Sequence, residues 1–374
     1  MTYATQIDAE GVFAMRGESS GQHEAFCYVS LEERIPQDHP LRTIRARAEA
    51  ALKRLSPVFK EMYASGGRPS IPPERLLKAQ LLIALYSIRS DRQFCDSLAW
   101  NLLYRWFLGM TMDEPGFVAS TFSKNRERLL EHEVAPRFFA EVVRQARAEQ
   151  LLSQEHFTVD GTLIESLASL KSVRRKDDDE GGPIDPDNQG VDFHGERRSN
   201  ATHASVTDPE ARLFRKSRAA ATKLYFSGNA VAENRCGLIV DFSVDDILTG
   251  ERSSALRQLT RRKHRRIKTV AGDKGYCTKD FVATLRARGI RPHIAFIADG
   301  RRIPGLDHRT MRHANYQLSL RKRKLIEQAF GWLKAIAGLR KSRFFGRART
   351  ELYALMAMSA YNLTRMAKLR PLPT

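Results

Sequence analysis

The chain has 374 residues, of which 42% are apolar and 28% charged, enough to bury a core in two domains or in one large domain with an appended module. Its 62 Lys and Arg against 43 Asp and Glu leave a formal net charge of +19, which makes a polyanion the expected partner. Cys27, Cys95, Cys236 and Cys277 are scattered and form no C-x-x-C pair, which argues against a disulfide scaffold or a zinc module. No charged-then-apolar leader opens the chain, and its most apolar helical stretch, Leu76 to Tyr86, contains Lys78 and Gln80 and is too short to span a bilayer. A cytoplasmic location is the expectation.

Residues 1–25 are expected to be a flexible terminus, and 26–150 an all-helical domain. Leu41 to Leu55 carries apolar residues at helical spacing, and Pro72-Pro73-Glu74 opens a strong helix running to Ile88, with proline where a missing N–H costs least. Asp91 to Trp100 and Ser120 to Gln150 continue the pattern, with Ser120 or Thr121 as the N-cap. These stripes are most simply core. A basic helical domain ahead of a second domain is also a way to hold DNA, with Arg89, Arg92, Arg105, Lys124, Arg126 and Arg128 supplying charge.

From about residue 151 the period changes. Phe157-Thr158-Val159 and Thr162-Leu163-Ile164 read as a strand interrupted by the pair Asp160-Gly161. Residues 169–221 are polar, with Arg174-Arg175-Lys176, an acidic run at Asp177 to Glu180 and Gly181-Gly182-Pro183, and read as a loop free to move. Two strands follow, Thr222 to Ala232 and Gly237 to Val244, then a helix from Gly250-Glu251 to about Arg265. A short strand, Lys268 to Gly272, ends at Asp273. A helix from Thr278 to Arg288, a strand from Arg291 to Phe296, a long helix from Ser319 to Leu339 and a last helix from Thr350 to Leu369 complete the chain.

That order of elements is that of an α/β ribonuclease H-like fold, a mixed sheet with flanking helices, here over residues 151–345 with a polar insertion and with 346–374 packed on the core. In it Asp160 on the first strand and Asp273 at the end of the fourth can meet, and Glu327 on the long helix can cross to them. Each acid alone has an ordinary explanation: Asp-Gly is a turn signal, and Glu327 forms an i,i+4 pair with Arg323 worth about 0.3–0.5 kcal/mol. Together they supply hard oxygen ligands for two Mg²⁺ ions, with Mn²⁺ as a substitute. Arg323, Glu327 and Lys334 project from nearly one helical face, so the cations can grip phosphate beside a metal-binding carboxylate. His194 and His203 could be ligands, though lone histidines in a polar loop are more often merely exposed.

These residues resemble the bacterial insertion-sequence transposases of the DDE class, in the group founded on insertion sequence five, from about Phe26 to Leu369. The family signature is tyrosine, two residues, arginine, three residues, glutamate, six residues, lysine. Arg323, Glu327 and Lys334 fit it, whereas Leu320 occupies the tyrosine position and Tyr316 lies one turn earlier. Also similar are Asp192 to Ser205, Gly338-Leu339-Arg340-Lys341-Ser342-Arg343, Pro36 to Leu41 and Pro72 to Leu77. The resemblance implies that Asp160, Asp273 and Glu327 form the catalytic, metal-binding triad, and that Arg323 and Lys334 contact DNA. It implies a homo-oligomer on double-stranded DNA that cuts element ends and joins the exposed 3′-hydroxyls to target DNA.

Further phosphate contacts are expected from Arg321, Lys324, Lys274, Arg197 and Arg198. Basic clusters also occur at Arg261 to Arg266 and at Arg212, Arg215, Lys216, Arg218 and Lys223, the latter interleaved with Phe214 and Tyr225. The competing readings are a DNA-binding relic that has lost catalysis, and a general nuclease of the same fold.

Overall fold

The computed structural model describes residues 30–62, 70–177, 198–261, 267–296, 306 and 308–370. Seven helices come first: α1 (Leu31–Arg34), α2 (Pro40–Met62), α3 (Pro73–Leu85), α4 (Asp91–Ser97), α5 (Leu102–Leu108), α6 (Ala119–Glu131) and α7 (Val134–Ala148). Pro72 occupies the N-cap of α3 and Pro73 its first turn, where proline lacks only a donor that would be unpaired anyway. The single helix expected from Ser120 to Gln150 is two. Neither Ser120 nor Thr121 caps it, because helix starts at Ala119 behind Val118. It breaks at Glu133, which adopts a left-handed backbone (φ 50°). The break lets Phe122 and Leu129 bury on one line and Val134, Phe138 and Val142 on another.

The second half is built on β1 (His156–Glu165), β2 (Val173–Arg175), β3 (His203–Ser205), β4 (Arg212–Phe214), β5 (Lys223–Glu233), β6 (Ile239–Asp245), β7 (Thr269–Gly272) and β8 (Arg291–Ile294). Its helices are α8 (Glu251–Thr260), α9 (Lys279–Ala287), α10 (His308–Arg312), α11 (Ala314–Ala335) and α12 (Arg347–Leu369). The main sheet runs β4-β5-β1-β7-β8, with β6 also paired to β5. β5 lies antiparallel to β1, while β7 and β8 are parallel additions. This is the mixed, helix-flanked sheet expected of a ribonuclease H-like fold.

Two expectations are corrected here. Asp160-Gly161 does not interrupt β1. Both residues are paired, Asp160 with Ala230 and Gly161 with Asn229, because a long antiparallel partner outweighs the local turn tendency of Asp-Gly. The polar insertion is also not all loose among the described residues. β2 and β3 form a ribbon, and β4 joins the edge of the main sheet. Serine and aspartate replace apolar packing there: Ser166 Oγ donates to buried Asp208 (2.7 Å), Ser172 and Ser205 share a hydrogen bond (2.7 Å), and Asn200 pairs both ways with the Leu213 backbone (2.8 Å each).

One apolar core runs from the N-terminal helices into the sheet. Its hinge is α12, apolar on nearly all sides, which packs on α2, α3 and α7 and also on β6. Asn362 on α12 takes the place of a neighbouring strand for β6, accepting from Ile239 N (2.9 Å) and donating to Ile239 O (2.7 Å). The β5–β6 turn is held by the fully buried Glu233, whose carboxylate accepts from the backbone N–H groups of Ser153 (2.8 Å), Arg235 (3.0 Å), Gly237 (2.9 Å) and Cys236. Glu233→Ala strips these donors of their acceptor and is expected to cost about 3 kcal/mol or more in urea unfolding, with Glu233→Gln intermediate.

Candidate active site

The parallel pairing of β1 with β7 matches His156 to Thr269, Phe157 to Val270 and Thr158 to Ala271. Continued two residues beyond the last pair, that register sets Asp160 opposite Asp273. Neither carboxylate has an ion-pair partner among the described residues. Asp160 accepts only from the Gly161 N–H (2.9 Å), and Asp273 from the Gly275 N–H (2.9 Å) at the start of a 3₁₀ turn. Burial raises the Asp160 pKa to about 7, Asp273 and Glu251 push it the same way, and the Gly161 N–H and Arg323 oppose them.

α11 is fixed over this point at both ends. Near its start Tyr316 donates from its hydroxyl to Ile294 O (2.7 Å) and Ser319 bonds His293 Nδ1 (2.7 Å), tying the helix to β8. Beyond its end, Glu165 N donates to Arg340 O (3.1 Å) and Ser342 N to Glu165 O (2.7 Å), joining the Gly338 to Arg343 segment to the end of β1. Arg343 then hydrogen-bonds Ile88 O and Tyr353, which roots the segment in the helical region and α12. Between the two anchors, Ile326, Phe330 and Leu333 turn inward, and the stripe Arg323, Glu327, Lys334 follows another face.

Arg323 and Lys334 both act electrostatically on Asp160, so the stripe passes close to it. Burial, Lys216 and Arg340 hold the Lys334 pKa below its usual value, and Asp160 opposes them. Glu327, between the two cations, is paired with Arg323 at 3.1 Å and its side chain is 53% exposed. Among the described residues, no three His, Cys, Asp or Glu side chains are grouped so that they could hold a metal ion. Asp160 and Asp273 accept from separate backbone N–H groups, and Glu327 pairs with a guanidinium.

One nearby acid was missed by sequence reasoning. Glu251, in the first turn of α8, lays its side chain over Gly161. Burial raises its pKa and Asp273 raises it further, while Arg252 opposes. Burial holds the hydroxyl of Tyr276, whose side chain is 1% exposed, well above its usual pKa, and the charges of Glu251, Asp160 and Asp273 push it the same way. No sequence signal singled Glu251 out, because an acid in the first turn of a helix already has an ordinary reason to be there.

Of the other candidates, Arg321 and Lys324 are exposed on α11, Lys274 is exposed next to Asp273, and Arg198 is partly exposed. Arg197 and His194 lie outside the described residues, as do 262–266 of one basic cluster. His203 is buried and hydrogen-bonds Thr202 (2.8 Å). Tyr316 is 3% exposed with its hydroxyl committed to Ile294 O, so it does not replace the tyrosine missing at Leu320. Two cations expected to meet DNA are internal. Arg105 bonds the carbonyls of Leu98 and Thr111, and Arg126 pairs with Asp91 and lies over the Phe344 ring (4.3 Å).

Asp160 and Asp273 thus stand at the β1–β7 junction of a mixed sheet, with Arg323 and Lys334 of α11 acting on Asp160. Residues 29–128 match the family described as Transposase domain (DUF772), and residues 202–363 match the Transposase DDE domain. The chain therefore has the domain content of a DDE transposase. The DDE match takes in Glu251, Asp273 and Glu327 but begins after Asp160. Among solved structures the chain is similar to the piggyBac transposase in a synaptic complex with hairpin DNA. That likeness has 9% identity and a TM-score of 0.42, over 90% of this chain and 77% of the other. It is also similar to the Mos1 transposase in a paired-end complex with the left transposon end, with 11% identity and a TM-score of 0.19, over 76% and 86%. No curated protein sequence matches it. No helix among the described residues is long and apolar enough to cross a membrane.

An aspartate whose pKa rises from 3.8 to about 7 on folding opposes folding wherever it must ionise. Below about pH 4 it is protonated in both states and costs nothing. The penalty grows as pH climbs from about 4 to about 7 and is complete above that. Asp160→Asn is therefore expected to raise metal-free stability at pH 8 by an amount on the order of a few kcal/mol at most, and to leave it unchanged near pH 3.5, as read by denaturant unfolding at the two pH values.

Proposed function

We propose that the chain is the transposase of an insertion sequence of the insertion-sequence-five type, binding the terminal inverted repeats of its element and catalysing strand cleavage and strand transfer. One observation carries the reading: Asp160 and Asp273, without ion-pair partners among the described residues, set opposite each other at the β1–β7 junction of a chain whose net charge is +19. Such an excess of cations would ordinarily neutralise nearby acids. Leaving them open suits a divalent ion, and the donors are the hard oxygens that Mg²⁺ takes, with Mn²⁺ able to substitute.

Asp160, Asp273 and Glu327 would hold the metal, with Glu327 released from Arg323 to do so. Bound divalent cations would supply charge stabilisation to the attacking and leaving oxygens of a phosphodiester. Arg323, once free, and Lys334 would grip phosphate on either side of the reacting bond. Exposed Arg321, Lys324 and Lys274, with Arg198 and Arg197, would extend the backbone contact, and nothing in them reads bases. Residues 26–150 would form a helical domain that helps hold DNA through exposed Arg89, Arg92 and Lys124, 151–345 the catalytic domain, and 346–374 the helix joining them. The working form would be a homo-oligomer bridging two element ends in the bacterial cytoplasm.

The test is nicking of a duplex that carries the element's end, in Mg²⁺ or Mn²⁺. Asp160→Asn, Asp273→Asn and Glu327→Gln should each abolish nicking while leaving folding and DNA affinity close to wild type. Binding without nicking by the wild-type chain would point instead to a DNA-binding relic, and equal cutting of unrelated DNA to a general nuclease. A second measurement concerns the grip on phosphate. Lys334→Ala should flatten the plot of log affinity against log salt by about 0.9, and Arg323→Ala should do the same.

A further inference from the structure

We propose that Lys216, Lys334 and Arg340 close on one phosphate of the bound DNA strand, a clamp built from three chain segments beside Asp160. The inference deepens the preceding reading and rests on it, and it adds Lys216 and Arg340 to the residues that handle the substrate.

The backbone brings the three cations together. α11 carries Lys334 in its last turn and is ended by Gly338, whose left-handed backbone (φ 70°) accompanies bonds from Ala337 N to Trp332 O (3.1 Å) and from Leu339 N to Leu333 O (3.0 Å). The chain is thereby turned against the end of β1, where Arg340 O accepts from Glu165 N (3.1 Å) and Lys341 forms a bridge with Glu165. The β4–β5 connection arrives at the same end. Tyr225 is paired with Glu165, and Phe214, two residues before Lys216, is paired with Lys223. Ala220 N donates to Ser217 O (3.1 Å) and Arg215 Nε to Thr222 Oγ1 (3.4 Å), which folds that connection on itself with Lys216 exposed.

The cations that meet here are sorted. Glu165 takes Lys223 (2.8 Å) and Lys341 (3.8 Å). Five residues on from Asp160 along β1, Glu165 faces the other side of the sheet, so these two lysines are drawn away from Asp160. The side chains of Lys216, Lys334 and Arg340 have no hydrogen bond or ion pair among the described residues. Lys334 is half-buried, and burial holds its pKa below the usual value; Lys216 and Arg340 push it down further, with Asp160 opposing. A helix C-terminus favours a lysine, which accounts for Lys334, but neither Lys216 nor Arg340 belongs to α11. Their charges repel Lys334, so holding the three together costs the folded chain free energy. A phosphodiester relieves that repulsion, because its oxygens accept charge-assisted hydrogen bonds from several cations at once.

Fluorescence anisotropy of a duplex carrying the element's end, in EDTA over a range of salt, tests this without turnover. Lys216→Ala, Arg340→Ala and Lys334→Ala should each weaken binding. The variant with all three changes should flatten the plot of log affinity against log salt by about 0.9, the value for one phosphate. Three separate contacts would add to about 2.7 and would overturn the shared phosphate. Wild-type affinity in Lys216→Ala or Arg340→Ala, with Lys334→Ala weakened, overturns the inference while the transposase reading stands. Replacing one phosphate at a time by a neutral methylphosphonate gives a second readout. One position should cost wild type affinity and cost the triple variant nothing; if no position behaves so, the clamp does not exist. If wild type binds the end duplex no better than unrelated DNA, the transposase reading itself fails and the inference falls with it. Thermal unfolding establishes that each variant folds. Should the triple variant not fold, Lys216→Ala with Arg340→Ala decides, since Lys216 and Arg340 are both exposed: a flattening of about 0.9 or less supports the clamp, and one of about 1.8 overturns it.

Discussion

The parallel pairing of β1 with β7 is the constraint on which the site depends. These strands are separated by a polar insertion, an antiparallel hairpin and a helix, yet three matched pairs are enough to fix their register. Once it is fixed, Asp160 and Asp273 have no freedom to be apart. A slip of one residue would turn Asp160 to the other face of the sheet and away from α11. The anchoring around it is correspondingly heavy: Glu155 O accepts from both Lys268 N (2.8 Å) and Thr269 N (3.0 Å) at the mouth of the pair, and Arg291 N donates to Lys268 O (2.8 Å) on the far side.

Charge is distributed unevenly in this molecule, and the unevenness has a logic. In the helical region many cations are structural. Arg47 joins α2 to Glu149 and to Arg370 O, Arg75 reaches Glu114, and Arg126 reaches Asp91. Buried or half-buried guanidiniums there are each met by an acid or by carbonyls, as desolvation demands. At the β1–β7 junction the rule is reversed: among the described residues Asp160 and Asp273 have no ion-pair partner, and Arg323 of α11 pairs with Glu327. The folded chain tolerates that repulsion because α12 and the continuous core beneath it hold the sheet whatever the acids prefer.

Some of this was legible beforehand. The main strands and long helices of the second half follow from their apolar periods, and the placing of Asp160 opposite Asp273 follows from the order of those elements. Arg323, Glu327 and Lys334 share a stripe simply because a helix repeats every 3.6 residues. Other features were illegible for stated reasons. Asp-Gly in β1 carries a local turn signal that only a paired partner strand can override. The β2–β3 ribbon is closed by hydroxyl and carboxylate hydrogen bonds, which have no hydrophobic period to read. Arg105 and Arg126 look like any surface arginine until the carbonyls and the acid around them are placed.

The sequence by itself determined most of the element types and the basic character, since these depend on local periodicity and composition. Only the tertiary structure decided which acids keep company. It drew Glu327 to Arg323, closed Tyr316 into the core, and brought Glu251 across the glycine of β1. Such choices are made by contacts between segments far apart in the chain, where the missing β-carbon of one residue is the space that another fills.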